Sequence, residues 1–459
     1  MTLKITDDVI IGNYHKTIFN NGLTIVSEFV PEIRSFAAGV CLNIGSRNDW
    51  KGKEGIAHFM EHAAFRRTKN RTSKQIANEF EVLGAYSNAF TTKELTCFYV
   101  RAIKEHFAET FELLSDVTLN TLFVENEIEK EKLVILEEIK SYEDDPEEYV
   151  CDLADTLIFA ESPLAAPIVG TQNSVGNINY LDLENFHNEF YKPYRMTIAV
   201  AGNIEHNLIV QLSQKYFDVD LNNPTSRKKV TSSNKKENCN KEEDCNKKEI
   251  MQLAQKSKKL DKTKELTSRE LTSKELVVVK QIQQAHIIIG KLTNGIRHSE
   301  RYPLAVANAI FGDGMSSRLY QNLREKYGLA YSIYSSLQSY SDCGAINIYA
   351  ATEENKDAKT IDLVFEEMKK FISTHKPKKN ELTRAKEQLK TATIIELESM
   401  SSRMQNLLKQ TISIGKMESI PEIISNIENI KFDDIMNIVE EYFSSDNWNI
   451  CKLLPENQP

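Results

Sequence analysis

One stretch partitions this chain before any motif is considered. From Asn222 to Leu276 the sequence is rich in lysine, asparagine, serine and glutamate and contains no aromatic residue. It holds 15 basic and 9 acidic side chains, a net charge of +6. Lys264-Glu-Leu-Thr-Ser268, Arg269-Glu-Leu-Thr-Ser273 and Lys274-Glu-Leu276 form a five-residue near-repeat within it. Such a segment buries too little apolar surface to offset the entropy of ordering it. It is therefore predicted to be a charged linker or insertion, with a short fraying helix near its end. What it leaves is two blocks, 1–221 and 277–459, each long enough for a domain with its own core.

Both blocks mix strand and helix signals. Asn20-Asn21-Gly22 ahead of Leu23-Thr-Ile-Val26 predicts a hairpin turn. Phe36–Ile44, Met196–Ala201 and Ala285–Gly290 are apolar runs of strand length. Ser73–Leu83, 103–118, 361–374 and the long run 380–407 carry helical periodicity. The predicted fold is α+β, with two homologous lobes, each a mostly antiparallel sheet packed with helices, joined by a linker.

Composition narrows the function classes. The chain is 41% apolar with a net charge of −9, so the residues outside the linker carry −15. That balance speaks against a nucleic-acid binder, except for a basic tether at 222–276, which has composition alone behind it. No run reaches the ~18 uncharged apolar residues of a membrane span. The N-terminal Met-Thr-Leu-Lys-Ile-Thr-Asp-Asp lacks the basic and apolar regions of a leader, which predicts a cytoplasmic protein. Seven scattered cysteines with no CxxC pair predict neither a disulfide framework nor a thiolate metal site.

The chemistry concentrates at His58-Phe-Met-Glu-His62. Histidines four apart lie on one helical face and can share a metal, while Glu61 sits at the same rim as a general base. This HxxEH order is the inverted zinc-protease motif. A catalytic zinc needs a third protein ligand, with a position left for water. The glutamate-rich helical run 125–141 is the candidate region. Ile128, Ile135, Leu136 and Ile139 mark its buried sector, Glu131 and Glu138 fall together at one edge, and Glu137 points away. Helical geometry makes Glu138 an inward ligand candidate, with Glu131 a second carboxylate two turns below it, and alone leaves this even with an ordinary solvated helix.

With these residues in place, the chain resembles the pitrilysin and mitochondrial-processing-peptidase family of inverzincins, and its β-subunit-like members in particular. The resemblance runs from Phe19-Asn-Asn-Gly-Leu-Thr-Ile-Val26 through Gly45-Ser46-Arg47 and HxxEH. It continues to Ser87-Asn-Ala-Phe-Thr-Thr92 and Val134-Ile-Leu-Glu-Glu-Ile139. In the second block it takes in Gly312-Asp-Gly-Met-Ser-Ser-Arg-Leu-Tyr320 and Leu323-Arg-Glu-Lys-Tyr-Gly-Leu-Ala-Tyr331. It implies a zinc metalloendopeptidase acting on peptides or unfolded, presequence-like segments. It implies zinc bound by His58, His62 and Glu138, with Glu61 as base and Glu131 supporting the site without touching the metal. Asn88 and Ala89 match the strand that pairs substrate backbone. Arg324 and Tyr331 match a pair that bonds substrate carbonyls and the oxyanion, supplied to the zinc of another chain. A homodimer, or a heterodimer with a paralogous subunit, follows.

Two departures stand out. Ala63-Ala-Phe-Arg-Arg-Thr68 replaces the family's Met and Lys-Gly-Thr, so Arg67 stands where a glycine is usual and an altered turn is expected. Gly312-Asp-Gly314 lacks the longer glycine-rich loop of the noncatalytic processing-peptidase subunit. The alternative function, a noncatalytic peptide-binding or assembly subunit, predicts loss of the metal residues, which are intact.

Overall fold

The computed structural model describes residues 3–217, 274–444 and 446–456. The first sheet has seven strands: β1 (Ile5–Ile11), β2 (Tyr14–Phe19), β3 (Thr24–Phe29), β4 (Ser35–Leu42), β5 (Tyr86–Thr91), β6 (Thr96–Ile103) and β7 (Met196–Gly202). The second has five: β8 (Glu275–Lys280), β9 (Ala285–Asn294), β10 (Ala330–Ser339), β11 (Cys343–Thr352) and β12 (Asn449–Pro455). The orders are β1-β2-β3-β7-β4-β6-β5 and β10-β11-β9-β12-β8.

Reversing the second order exposes an internal repeat. β8-β12-β9-β11-β10 matches β3-β7-β4-β6-β5 strand for strand, including the single parallel pair, β8 with β12 and β3 with β7. The remaining neighbours in each set are antiparallel. The fold is thus α+β with two related sheets, the first extended by the β1–β2 hairpin.

Each sheet packs its own helices on one face. On the first these include α1 (Ile56–Ala64), α2 (Ser73–Val82), α3 (Phe107–Leu119) and α4 (Glu125–Asp144), over Ile25, Val40, Phe98 and Ile198. Helices Arg301–Phe311, Asp357–Ile372 and Phe432–Tyr442 cover the second sheet in the same way.

The opposite faces are covered reciprocally. α5 (Pro146–Ile158), from the first half of the chain, sets Val150, Ala154 and Ile158 against Ile288, Tyr349 and Leu453 of the second sheet. The helix Met400–Leu408, from the second half, sets Met404, Leu407 and Leu408 against Val26, Cys41, Cys97 and Ala199 of the first. Each crossing packs its side chains directly over a glycine. A Cβ at Gly39 of β4 would lie 2.8 Å from Met404 Sδ, and one at Gly290 of the equivalent strand β9 would lie 2.2 Å from Ile158 Cδ1.

Three sequence expectations shift. The run 380–407 is two helices, Lys379–Glu396 and Met400–Leu408. The extended backbone of Ser399 (φ −86°, ψ 131°) breaks it, because the second helix leaves its own lobe to cover the other sheet. The helix predicted from 103 begins at Phe107, since Ile103 ends β6. Glu275 and Leu276, assigned to the linker, open β8, where they pair with Ile450 and Cys451. The fraying helix otherwise lies outside the described residues, as do Cys239 and Cys245. Cys41, Cys97, Cys151, Cys343 and Cys451 are free thiols. Among the described residues no helix is long and apolar enough to cross a membrane.

Candidate metal centre

α1 presents the motif. Asp49 anchors its first turn by accepting from the N–H groups of Gly55 (2.6 Å) and Ala57 (3.1 Å). Ile56, Ala57, Phe59, Met60, Ala63 and Ala64 are buried, so the helix is fixed on the sheet and one rim carries His58, Glu61 and His62. α4 runs beside it. Its buried stripe, Ile128, Ile135 and Ile139, also includes Glu131. Glu137 points outward and pairs with Lys140 at 2.6 Å.

The structure brings His58, His62 and Glu138 together, with one ligand atom from each lying within 4.8 Å of the others. His58 Nε2 is 3.7 Å from Glu138 Oε1, and His62 Nε2 is 3.4 Å from Glu138 Oε2. Ligands placed ~2.0–2.1 Å from a tetrahedral cation stand roughly 3.3–3.4 Å apart. The donor set, two imidazoles and a carboxylate, is that of a catalytic zinc site, and its spacing fits one ion. Glu131 Oε1 accepts from His62 Nδ1 at 2.8 Å, which leaves Nε2 as the lone-pair donor facing Glu138. Arg66 pairs with the other Glu131 oxygen.

Burial, reinforced by the neighbouring His62, depresses His58 to about 4. Burial also opposes protonation of His62, yet its bonds to Glu131 and Glu138 outweigh this and raise it to about 9. The bond from His62 holds Glu138 below the usual carboxylate range. Burial pushes Glu61 up, opposed by Thr91, whose hydroxyl donates to Glu61 Oε2 at 2.6 Å.

Asp8, His15 and His206 also bring ligand atoms within 4.8 Å. Their imidazole rings stack at 3.7 Å with 17° between planes, so no ion can lie in both ring planes. Thr17, at 2.8 Å, and Ser27, at 2.7 Å, occupy the two nitrogens of His206. That cluster is a hydrogen-bonded network, not a metal site.

β5 lies at the edge of the first sheet, paired on one side by β6, with Asn88 opposite Tyr99 and Ala89 opposite Phe98. Thr91, at its end, reaches Glu61. The following turn is pinned. Lys93 Nζ donates to the carbonyls of Leu164 (3.0 Å) and Ala166 (2.6 Å) and pairs with Asp155 (3.2 Å). Glu94 accepts from Arg47 and from Ser341 of the second lobe.

Arg324 and Tyr331 are not brought to this cluster. Arg324 lies 4.9 Å from the Tyr320 ring centre and 5.8 Å from that of Tyr331, and Tyr331 is 73% exposed. Among the described residues no hydrogen bond, ion pair or ring contact joins either to His58, His62 or Glu138. Arg67 makes a bidentate pair with Glu127 and is not among the described non-glycine residues at positive φ, so replacing glycine there imposes no backbone strain.

Sequence reasoning missed Thr91, Arg66 and two carboxylates of α5, Glu148 and Asp152. Glu148 and Asp152 stand one turn apart. Tyr142 feels the charges of Glu138, Glu148, Asp152 and Glu61 together, so this pair adds to the negative field around the cluster. Spacing was the only signal, and an acidic helix start carries the same signature.

Residues 24–172 match the family described as Insulinase (Peptidase family M16), and residues 177–389 match the Peptidase M16 inactive domain. The chain is 33% identical over 429 residues to "Uncharacterized zinc protease YmxG" of Bacillus subtilis, covering 93% of this chain and 95% of that protein. It is 31% identical to an "Uncharacterized zinc protease" of Rickettsia felis, covering 94% and 96%. Among solved structures, a protease from Helicobacter pylori superposes with a TM-score of 0.81 at 20% identity, covering 97% of this chain and all of that one. A Pseudomonas fluorescens structure titled peptidase M16 inactive domain gives 0.81 at 16% identity, again over 97% and 100%.

Proposed function

Because the chain belongs to peptidase family M16, we propose that it is a zinc-dependent endopeptidase cleaving extended peptides or unfolded, presequence-like segments in the cytoplasm. The observation that carries this reading is the convergence of His58, His62 and Glu138 beside a further carboxylate on the same helix rim, Glu61, which Thr91 orients. His58 and His62 would hold zinc through Nε2 and Glu138 through its carboxylate. A zinc ion supplies Lewis acidity, which activates water and polarises a carbonyl at neutral pH.

The chain's own groups perform the rest. Thr91 fixes Glu61 Oε2, which leaves Oε1 to take the proton of the attacking water and return it to the leaving amine. Glu131 keeps His62 in the tautomer whose Nε2 faces Glu138 and would be free to hold zinc. The open edge of β5, at Asn88 and Ala89, receives substrate backbone as an added strand, which favours unfolded chains over folded ones. Glu148 and Asp152 add to the negative field around the cluster, which suits a basic substrate residue.

Arg324 and Tyr331, exposed on the second lobe, fit a role in trans: a guanidinium and a phenol that bond substrate carbonyls and the oxyanion at the zinc of a second chain, identical or paralogous. The testing experiment is cleavage of a quenched-fluorescent peptide library before and after chelation, with zinc restored stepwise. Activity lost with metal and regained at one equivalent supports the enzyme. A zinc-loaded chain inert toward every peptide, alone or with a paralogue, supports the noncatalytic subunit instead.

A further inference from the structure

Glu127, Glu131 and Glu138 lie within about 40° of one another around α4, at 100° per residue. Opposite them, α1 and the residues just past its end present a ladder of basic groups. His58 and His62 face Glu138, His62 and Arg66 hold the two oxygens of Glu131, and Arg67 grips Glu127. The last rung is bidentate. Arg67 Nε lies 3.1 and 3.0 Å from the two Glu127 oxygens, and Nη2 lies 2.6 Å from the first.

The rungs differ in rigidity. Glu131 is 3% exposed, so once buried it requires a cation, and Arg66 with His62 supplies it. Glu138 has no such constraint. Its side chain is 31% exposed, and it meets the imidazoles at 3.7 and 3.4 Å. Its position therefore depends on where α4 sits along α1. A slip of one residue along α4 moves the carboxylate by ~1.5 Å and turns it by ~100°, enough to remove it from the tetrahedron. Ile128, Ile135 and Ile139, all buried, fix which face of α4 meets α1. The bidentate Arg67–Glu127 pair and the Arg66–Glu131 ion pair add restraints at the acidic edge beside that stripe.

We propose that Arg66 and Arg67 are positioning residues for the metal site. The two guanidiniums clamp the acidic rail of α4 in the register that delivers Glu138 to both histidines, and Arg66 also holds Glu131 against His62 Nδ1. This deepens the zinc reading above and rests on it. Neither arginine touches metal or substrate; each acts through a glutamate.

The test is zinc affinity of the full chain, measured by competition with a chromophoric chelator, together with the visible spectrum of the cobalt-substituted protein. Arg66→Met is expected to weaken zinc binding about 10- to 100-fold, the range found when groups supporting metal ligands are removed. Arg67→Met is expected to weaken it several-fold and to alter the cobalt ligand-field bands, and the double reversal Arg67→Glu with Glu127→Arg should recover most of that loss. Circular dichroism identifies variants that fail to fold; if Arg66→Met is one, the Arg67 and Glu127 set decides the matter alone. Folded Arg variants with wild-type zinc affinity and an unchanged cobalt spectrum would overturn the clamp. Folded His58→Ala and His62→Ala variants that bind zinc as tightly as the wild type would instead overturn the metal reading beneath it.

Discussion

Replacing Asp152 with asparagine isolates the charge that the site offers a substrate. Burial pushes this carboxyl up to about 6; Lys93 opposes the rise, while Asp155 and Glu148 add to it. Above that value Asp152, one turn from Glu148, adds a negative charge to the field that Tyr142 also feels from Glu61 and Glu138. A substrate guanidinium ~4 Å from Asp152 gains about 4 kcal/mol at an effective dielectric of ~20 before desolvation. After desolvation, hydrogen bonds to charged groups contribute about 1.5–3 kcal/mol net. Asp152→Asn should therefore lower kcat/KM for an arginine-bearing peptide by roughly 10- to 150-fold. A matched peptide with citrulline in its place should change less than about two-fold. The assay is a paired comparison of the two peptides from pH 5 to 8. A carboxyl with a raised pKa is neutral below it, so the wild-type preference for arginine should be full at pH 8 and fade as pH falls through about 6. The asparagine variant should lack that step. Equal losses for both peptides, or an arginine preference that survives in Asp152→Asn, would refute the reasoning.

Three further outcomes follow from the same geometry. Thr91→Val removes the 2.6 Å bond that opposes the upward push on Glu61, so the acidic limb of the kcat/KM profile should move to higher pH, with bound zinc unchanged. Met404→Ala, at a fully buried position between the swapped helix and the first sheet, should cost about 2–5 kcal/mol by chemical denaturation, against near zero for an exposed control such as Met315→Ala. Mixing Glu61→Gln chains with Arg324→Ala chains should restore activity if sites are shared in trans, because some dimers then hold one intact set; no recovery across mixing ratios counts against sharing.

What the sequence revealed and concealed follows from how local each signal is. His58 and His62 are legible because four residues of helix bring them together without help from the rest of the chain. Glu131 and Glu138 are legible as a pair, since periodicity puts both at one edge of α4. Their division of labour is not, because it depends on the depth of each against α1: Glu131 is buried and bonded to His62 Nδ1, and Glu138 sits at the rim facing Nε2. The reciprocal helices escaped entirely. Whether α5 or Met400–Leu408 covers its own sheet or the other one leaves the same apolar spacing in the sequence, and the glycines beneath them, Gly39 and Gly290, read as ordinary strand glycines. Arg66 and Arg67 looked like a disturbed turn, because their partners lie sixty residues away.

The central claim is that one cluster holds zinc while a separate carboxylate moves the proton. Glu61→Gln keeps the shape and the bond from Thr91 but cannot accept a proton. Measured on the same purified protein, zinc content should remain at one equivalent per chain, abolished only by changes to His58, His62 or Glu138, while kcat on the best peptide falls by about 10²–10⁴-fold. Zinc-replete Glu61→Gln protein that cleaves at the wild-type rate would contradict the account.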